Sequence, residues 1–219
     1  IDFDGQISEI NFHNYAYKRV SLKGNLQKQL FKGIVSVKDS NLIANMIGEI
    51  NLRGKKAHYQ LNGIINRADL MAMKWLQDPL KISSEFEVDL LMNDLDDLEG
   101  KAALSEIILS KPGIEDLPVR LCSFQADLSN PLKRSYKLNS DLVSAELNGS
   151  FLPSNLQADF EQLLHELGLY FKQNQLERLA YYAENKPMTH QKYQSDFTVT
   201  FHEPKPLLSR WFPSFEMSR

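Results

Sequence analysis

The feature that most restricts how this chain can fold is the recurrence of apolar residues at every second position. From Leu42 to Leu52 the series Leu42, Ala44, Met46, Gly48, Ile50 and Leu52 alternates with a mostly polar set. A period of two places one set on one face of an extended strand, so the pattern predicts strands with one buried and one solvated side. The same spacing runs through Ala57, Tyr59, Leu61 and Ile65, and through Ile82, Phe86, Val88, Leu90 and Met92. It returns at Val143, Ala145, Leu147 and Phe151, and again at Phe197, Val199 and Phe201. Most of residues 1–152 reads this way. The exception is a helical turn or two at Ala68–Leu76, closed by Pro79.

Glycines punctuate these runs. Gly5, Gly24, Gly33, Gly48, Gly63, Gly100 and Gly149 each sit in the frame apolar-x-Gly-x-apolar, which puts them on the apolar face if they lie within strands. A missing side chain there lets a strand bend or leaves room for a bulky neighbour. The competing reading is that they are turns: Asp4-Gly5, Asn62-Gly63 and Asn148-Gly149 are favourable hairpin pairs. The other four lack turn-forming predecessors, and the set as a whole reads as mid-strand glycine.

Residues 153–186 change character. Ser154 or Asn155 can cap a helix bearing Leu156, Phe160, Leu163, Leu164 and Leu167, and a second piece carries Leu176, Leu179, Ala180 and Ala183. These amphipathic helices, at about 155–184, are expected to cover an end or face of the sheet. The organisation is then a β-rich segment over 1–152, a helical insert over 153–186 and a return to strand over 187–219. The closing segment resembles Ala68–Pro79 in kind, an alternating strand running into a short apolar, Trp-containing piece and then a proline, so the array is expected to continue past Arg219; the chain also opens at Ile1-Asp2-Phe3-Asp4 as if cut from something longer.

Forty-two per cent of the chain is apolar and 24 per cent charged, with 25 basic against 28 acidic residues. That composition fits a folded domain and offers no basic stripe for nucleic acid. Five scattered histidines and the lone Cys122 make no metal-ligand spacing. The acidic run Asn93–Gly100 fails calcium-loop spacing and reads as a solvated turn. Cys122, in an apolar stretch, reads as a small hydrophobe rather than a nucleophile. With no nucleophile elbow or phosphate-binding glycine loop, the expectation is a protein that is not an enzyme and needs no cofactor or metal.

Three stretches resemble the TamB family, within the AsmA-like group of Gram-negative envelope proteins. They are Val20–Leu26 running into Leu30–Leu42, then Leu61–Leu70, then Leu138–Phe151 followed by an amphipathic helix; Glu203–Leu208 extends the likeness. The resemblance implies a piece of a long periplasmic protein tethered to the inner membrane, with the anchor absent from this segment. It implies a β-taco, a long curled antiparallel or mixed sheet whose concave side is an apolar groove. It also implies phospholipid transport between inner and outer membranes, or assembly of outer-membrane proteins beside a BamA-type barrel partner (TamA-like) reached through the full-length protein.

The residues themselves accommodate this reading. One apolar face per strand, with interspersed glycines, suits a sheet that curls without closing. Leu22, Leu26, Phe31, Val35, Leu42, Met46, Ile50, Leu61, Ile65, Phe86, Val88, Leu90, Leu147 and Phe151 are then the expected lipid-groove residues. A closed sandwich or barrel gives the same alternation, and a structural, adhesive or strand-templating scaffold with no lipid ligand is the alternative function.

Overall fold

Alternation becomes hydrogen-bonded ladders in a computed structural model that describes residues 1–130, 133–156, 175–184 and 195–203. The strands are β1 (Asp2–Phe12), β2 (Tyr15–Gln27), β3 (Leu30–Lys38), β4 (Leu42–Asn51), β5 (Ala57–Asp69) and β6 (Lys81–Met92). They continue as β7 (Glu99–Ser110), β8 (Leu117–Asn130), β9 (Lys133–Ser140), β10 (Val143–Gly149) and β11 (Ser195–Phe201). All eleven join one sheet in chain order. Every pairing is antiparallel, so the sheet is not mixed, and it does not close into a barrel. The described residues are mainly β, with 69% strand.

All seven framed glycines fall in strands, Gly100 and Gly149 near strand ends with φ of 122° and 143°. The tight turns are made elsewhere. His13-Asn14 joins β1 to β2 with φ of 49° and 59°, and Lys28-Gln29 joins β2 to β3 with φ of 47° and 63°. Two successive positive φ values give a turn whose twist matches the flanking strands. Here His-Asn and Lys-Gln serve that purpose, while Asp4-Gly5 and Asn62-Gly63 remain mid-strand.

Glycine is needed instead where strands crowd. Gly24, Gly33 and Gly48 stand directly opposite one another across β2, β3 and β4. A Cβ on Gly24 would lie 2.4 Å from the Lys32 carbonyl oxygen and 2.9 Å from Gly33 Cα. On Gly48 it would lie 2.1 Å from the Gln60 oxygen. The neighbouring strand stands where the side chain would go, so this line is a crease that bends the sheet toward its apolar face.

A second line of bending follows the rim that carries the β1–β2, β3–β4 and β5–β6 connections. Arg19 and Glu106 take φ of 54° and 50°, and the register shifts between Ile65 and Ala68 of β5. Such bulges re-aim the residues beyond them, and Tyr17 and Val20 consequently fall in one apolar cluster despite their odd spacing. The expected turn after β5 is present: Met73 N–H donates to Asp69 O at 3.0 Å and Trp75 N–H to Leu70 O at 2.8 Å.

Of the two expected helices, the second is α1 (Gln175–Glu184). Leu176 and Leu179 on it are 80% and 61% exposed, so these apolar positions do not cover the sheet. The first helix falls mostly on 157–174, outside the described residues; Pro153–Asn155 at its start form a short 3-10 turn. The segment from Pro204 onward also lies outside them. No described helix is long and apolar enough to cross a membrane.

Candidate functional site

Register carries the apolar residues of successive strands into continuous rows. One row reads Phe3, Gly24, Gly33, Gly48, Leu61, Val88, Ala102, Phe124, Leu138, Ala145 and Val199, from β1 to β11 without interruption. The next, two residues along, reads Leu26, Phe31, Ile50, Tyr59, Leu90, Gly100, Ala126, Tyr136, Leu147 and Phe197. On the other side of the first lie Gly5, Leu22, Val35, Met46, Gly63, Phe86, Leu104 and Cys122. With strands about 4.8 Å apart, ten spacings make this apolar face about 48 Å long.

The face is only partly covered. Among the described residues no large side chain is less than 2% exposed, whereas a filled sandwich buries several. Appreciable contacts between strands are those between sheet neighbours, so among the described residues no second layer of strands packs on the face. Burial concentrates at the rims. At one, the turn after β5 folds inward and seats Met73, 4% exposed, against Tyr17, Val20, Val37 and Ala68. Farther along that rim, Ile107, Leu117, Val119 and Leu142 form a second small core. At the opposite rim Phe124, Tyr136 and Phe151 meet edge to face, with ring centroids 5.4 and 5.2 Å apart. Between these clusters the central rows are half-buried and run across the strands from β1 to β11.

The reverse face is mostly polar, with Ile34, Ile47, Ile64 and Leu121 standing 44–52% exposed among its polar residues. Lys32 pairs with Glu49 at 2.6 Å, Lys23 with Asp4 at 3.3 Å and Lys137 with Glu146 at 3.2 Å, each across adjacent strands. Such exposed pairs add little stability, but they keep this side wet. His58 meets Asp89 at 2.7 Å, and that hydrogen bond first, against burial, holds the Asp89 carboxyl below its ordinary range.

One charged group is structural. Asp39, 3% exposed, accepts from the Tyr15 hydroxyl at 2.5 Å, Asn41 N–H at 2.8 Å and Lys18 N–H at 3.1 Å. Burial pushes its pKa up, but these donors outweigh burial and hold it below the usual carboxylate value.

No group of three or more His, Cys, Asp or Glu among the described residues is placed to hold a metal. The acidic run forms a 3-10 turn, Leu95–Asp97, in which Asp94 and Asp97 cap each other's backbone. Cys122 lies on the apolar face, and burial raises its thiol pKa, away from the thiolate a nucleophile needs.

Of the fourteen residues expected to line the groove, thirteen lie on strands with their apolar positions on this one face. Val35, Leu42 and Ile65 pack against the Met73 rim cluster, while Leu26, 45% exposed, stands more open. Phe151 is placed differently. It follows the end of β10 and is 4% exposed against Tyr136, so it belongs to a wall and not to the open floor. The sequence reading missed Phe3, Leu104, Phe124, Tyr136 and Leu138, although Cys122-x-Phe124-x-Ala126 and Tyr136-x-Leu138 carry the same two-residue spacing.

Comparison of the chain with family models, with curated proteins and with solved structures finds no match.

Proposed function

We propose that this chain is a lipid-conducting trough, a segment of a TamB-like envelope protein that carries phospholipid acyl chains through the periplasm between inner and outer membranes. The observation that supports it is an apolar face continuous across eleven strands, half-buried in its central rows with no second layer of strands over it among the described residues, behind a mostly polar reverse face. An acyl chain lying in the trough gains about 0.8 kcal/mol for each CH₂ removed from water. Transport is then sliding along a greasy floor with the headgroup in water, and no residue need act chemically. In the full-length protein the same reading gives an inner-membrane tether and a BamA-type barrel partner.

Native mass spectrometry of the purified chain should find co-purified phospholipid. Met46→Glu, in the middle of β4, should abolish that while leaving the protein soluble and folded, because Met46 is only partly buried. A protein that carries no lipid in its native form contradicts the proposal, as does a Met46→Glu variant that unfolds.

A second reading rests on the sheet edges. β11 has every residue exposed, no lysine, no proline and one charge, Asp196. Such an edge lacks the usual protection against strand addition, which suits a scaffold that templates other strands. That function needs no lipid, and the same mass spectrum separates the two.

A further inference from the structure

The rim that carries the β1–β2 and β5–β6 connections holds an aromatic cluster that the trough does not use. Phe12 and Trp75 are 61% and 53% exposed, with ring centroids 6.4 Å apart, and His13 lies 5.5 Å from the Trp75 ring. Met71 and Leu76, on the same turn as Trp75, are 44% and 43% exposed. The cluster is held in place: the Trp75 indole N–H donates to the Tyr17 hydroxyl at 3.0 Å, and the paired positive φ values of His13 and Asn14 fix the hairpin tip. With the indole N–H already satisfied by Tyr17, what the cluster offers a partner is the exposed apolar area of the two rings.

Charge identifies the partner. Lys18, Arg19, Lys38, Arg67 and Lys74 all lie at this rim, and none forms an ion pair with a described carboxylate. Elsewhere on the polar face Lys23, Lys32 and Lys137 are paired, and Lys101 stands alone between Asp89 and Gln125 of the adjacent strands, without the clustering of cations seen at this rim. Asp39, which accepts from the Lys18 backbone N–H, is buried beneath its own donors; Asp69 is paired with Lys81, and the exposed Glu9, opposite Lys18 in the register, and Asp78 are outnumbered. The far end of the same rim is mixed in charge, carrying Glu115, Asp116 and Asp141 beside Lys111 and Arg120, with Arg120 paired to Asp141. The positive, aromatic end is therefore local.

We infer that this rim docks edge-on to a bilayer surface containing anionic lipid, Phe12 and Trp75 entering the headgroup region and the unpaired cations meeting lipid phosphates. Aromatic side chains on a cationic rim are suited to that boundary, where rings take the acyl side and charges the headgroups. Met73 on the same turn contacts Tyr17 and Val20 of the trough wall, so a docked rim brings the trough beside the bilayer.

The test is co-sedimentation of the purified chain with phosphatidylcholine vesicles, with and without phosphatidylglycerol. A Trp211→Phe background leaves Trp75 as the one tryptophan reporter. Binding should require phosphatidylglycerol and weaken with salt, and brominated lipid should quench Trp75. Phe12→Ser with Lys74→Glu should weaken binding about tenfold or more, with an unchanged urea midpoint because both side chains are exposed. Ile47→Ser, exposed on the reverse face, should bind as the parent does. Absence of binding to anionic vesicles, binding indifferent to the double substitution, or binding without Trp75 quenching would each overturn the inference. Vesicle binding in a protein that carries no lipid tells against the trough alone, and co-purified lipid without vesicle binding tells against this rim alone.

Discussion

At the scale of single residues, the structure separates positions that the sequence makes look alike. Gly5 and Gly33 share one frame, yet a Cβ on Gly5 meets nothing within 4 Å while one on Gly33 would lie 2.5 Å from the Lys23 oxygen and 3.0 Å from Gly24 Cα. Gly5→Ala should therefore be neutral or stabilise by about 0.5 kcal/mol through the unfolded chain. Gly33→Ala should cost on the order of 1–3 kcal/mol by overpacking, measurable by urea unfolding. Ser84, 3% exposed on the apolar side, has a hydroxyl with no partner among the described residues. Ser84→Ala should raise stability by about 1 kcal/mol in the same assay, because it removes an unsatisfied group. Asp39 behaves oppositely. Its folded pKa lies below its unfolded one, so as pH falls the unfolded chain binds the proton first. The stabilisation is complete above about pH 4 and is lost as pH drops through the depressed folded value. Asp39→Asn should destabilise by about 1–3 kcal/mol at neutral pH and flatten the acid limb of the pH–stability curve.

At the scale of elements, period-two spacing was sufficient to read β4, β5, β6, β10 and β11, because one face of each strand is apolar and the other wet. Turn identity was not legible. His13-Asn14 and Lys28-Gln29 make tight turns without glycine, and Asn62-Gly63 declines one, because Gly63 lies opposite Phe86, whose ring would meet a Cβ there at 2.8 Å. That choice is set by neighbouring strands, which local propensity does not contain. The same holds for the bulges at Arg19 and Glu106, where alternation slips so that Tyr17 and Val20 share a cluster. The turn after β5 is a wall-building element. Met73→Ala, at a position 4% exposed, should cost about 2 kcal/mol or more. Its effect should appear as earlier proteolysis or faster amide exchange in β2, β3 and the β5 end, with β8–β10 unchanged.

At the scale of the whole molecule, the strands, their one-sided character and the placement of thirteen of the fourteen expected residues on one face followed from the residues. Whether the apolar side was a filled core or an open floor did not, since both have the same alternation. That distinction depends on what faces the sheet, and among the described residues large side chains there stay partly exposed while burial gathers at the rims. Phe151 shows the limit of pattern reading: it continues the spacing of β10, yet the strand ends at Gly149 and the ring turns into the wall. The most direct measurement is site-specific photocrosslinking in cells, with a photoreactive residue at Val88 on the trough floor or at Ile47 on the reverse face, followed by mass spectrometry of the adducts. The account predicts phospholipid adducts at Val88 and none at Ile47. Equal labelling of both, or labelling of neither, would contradict it.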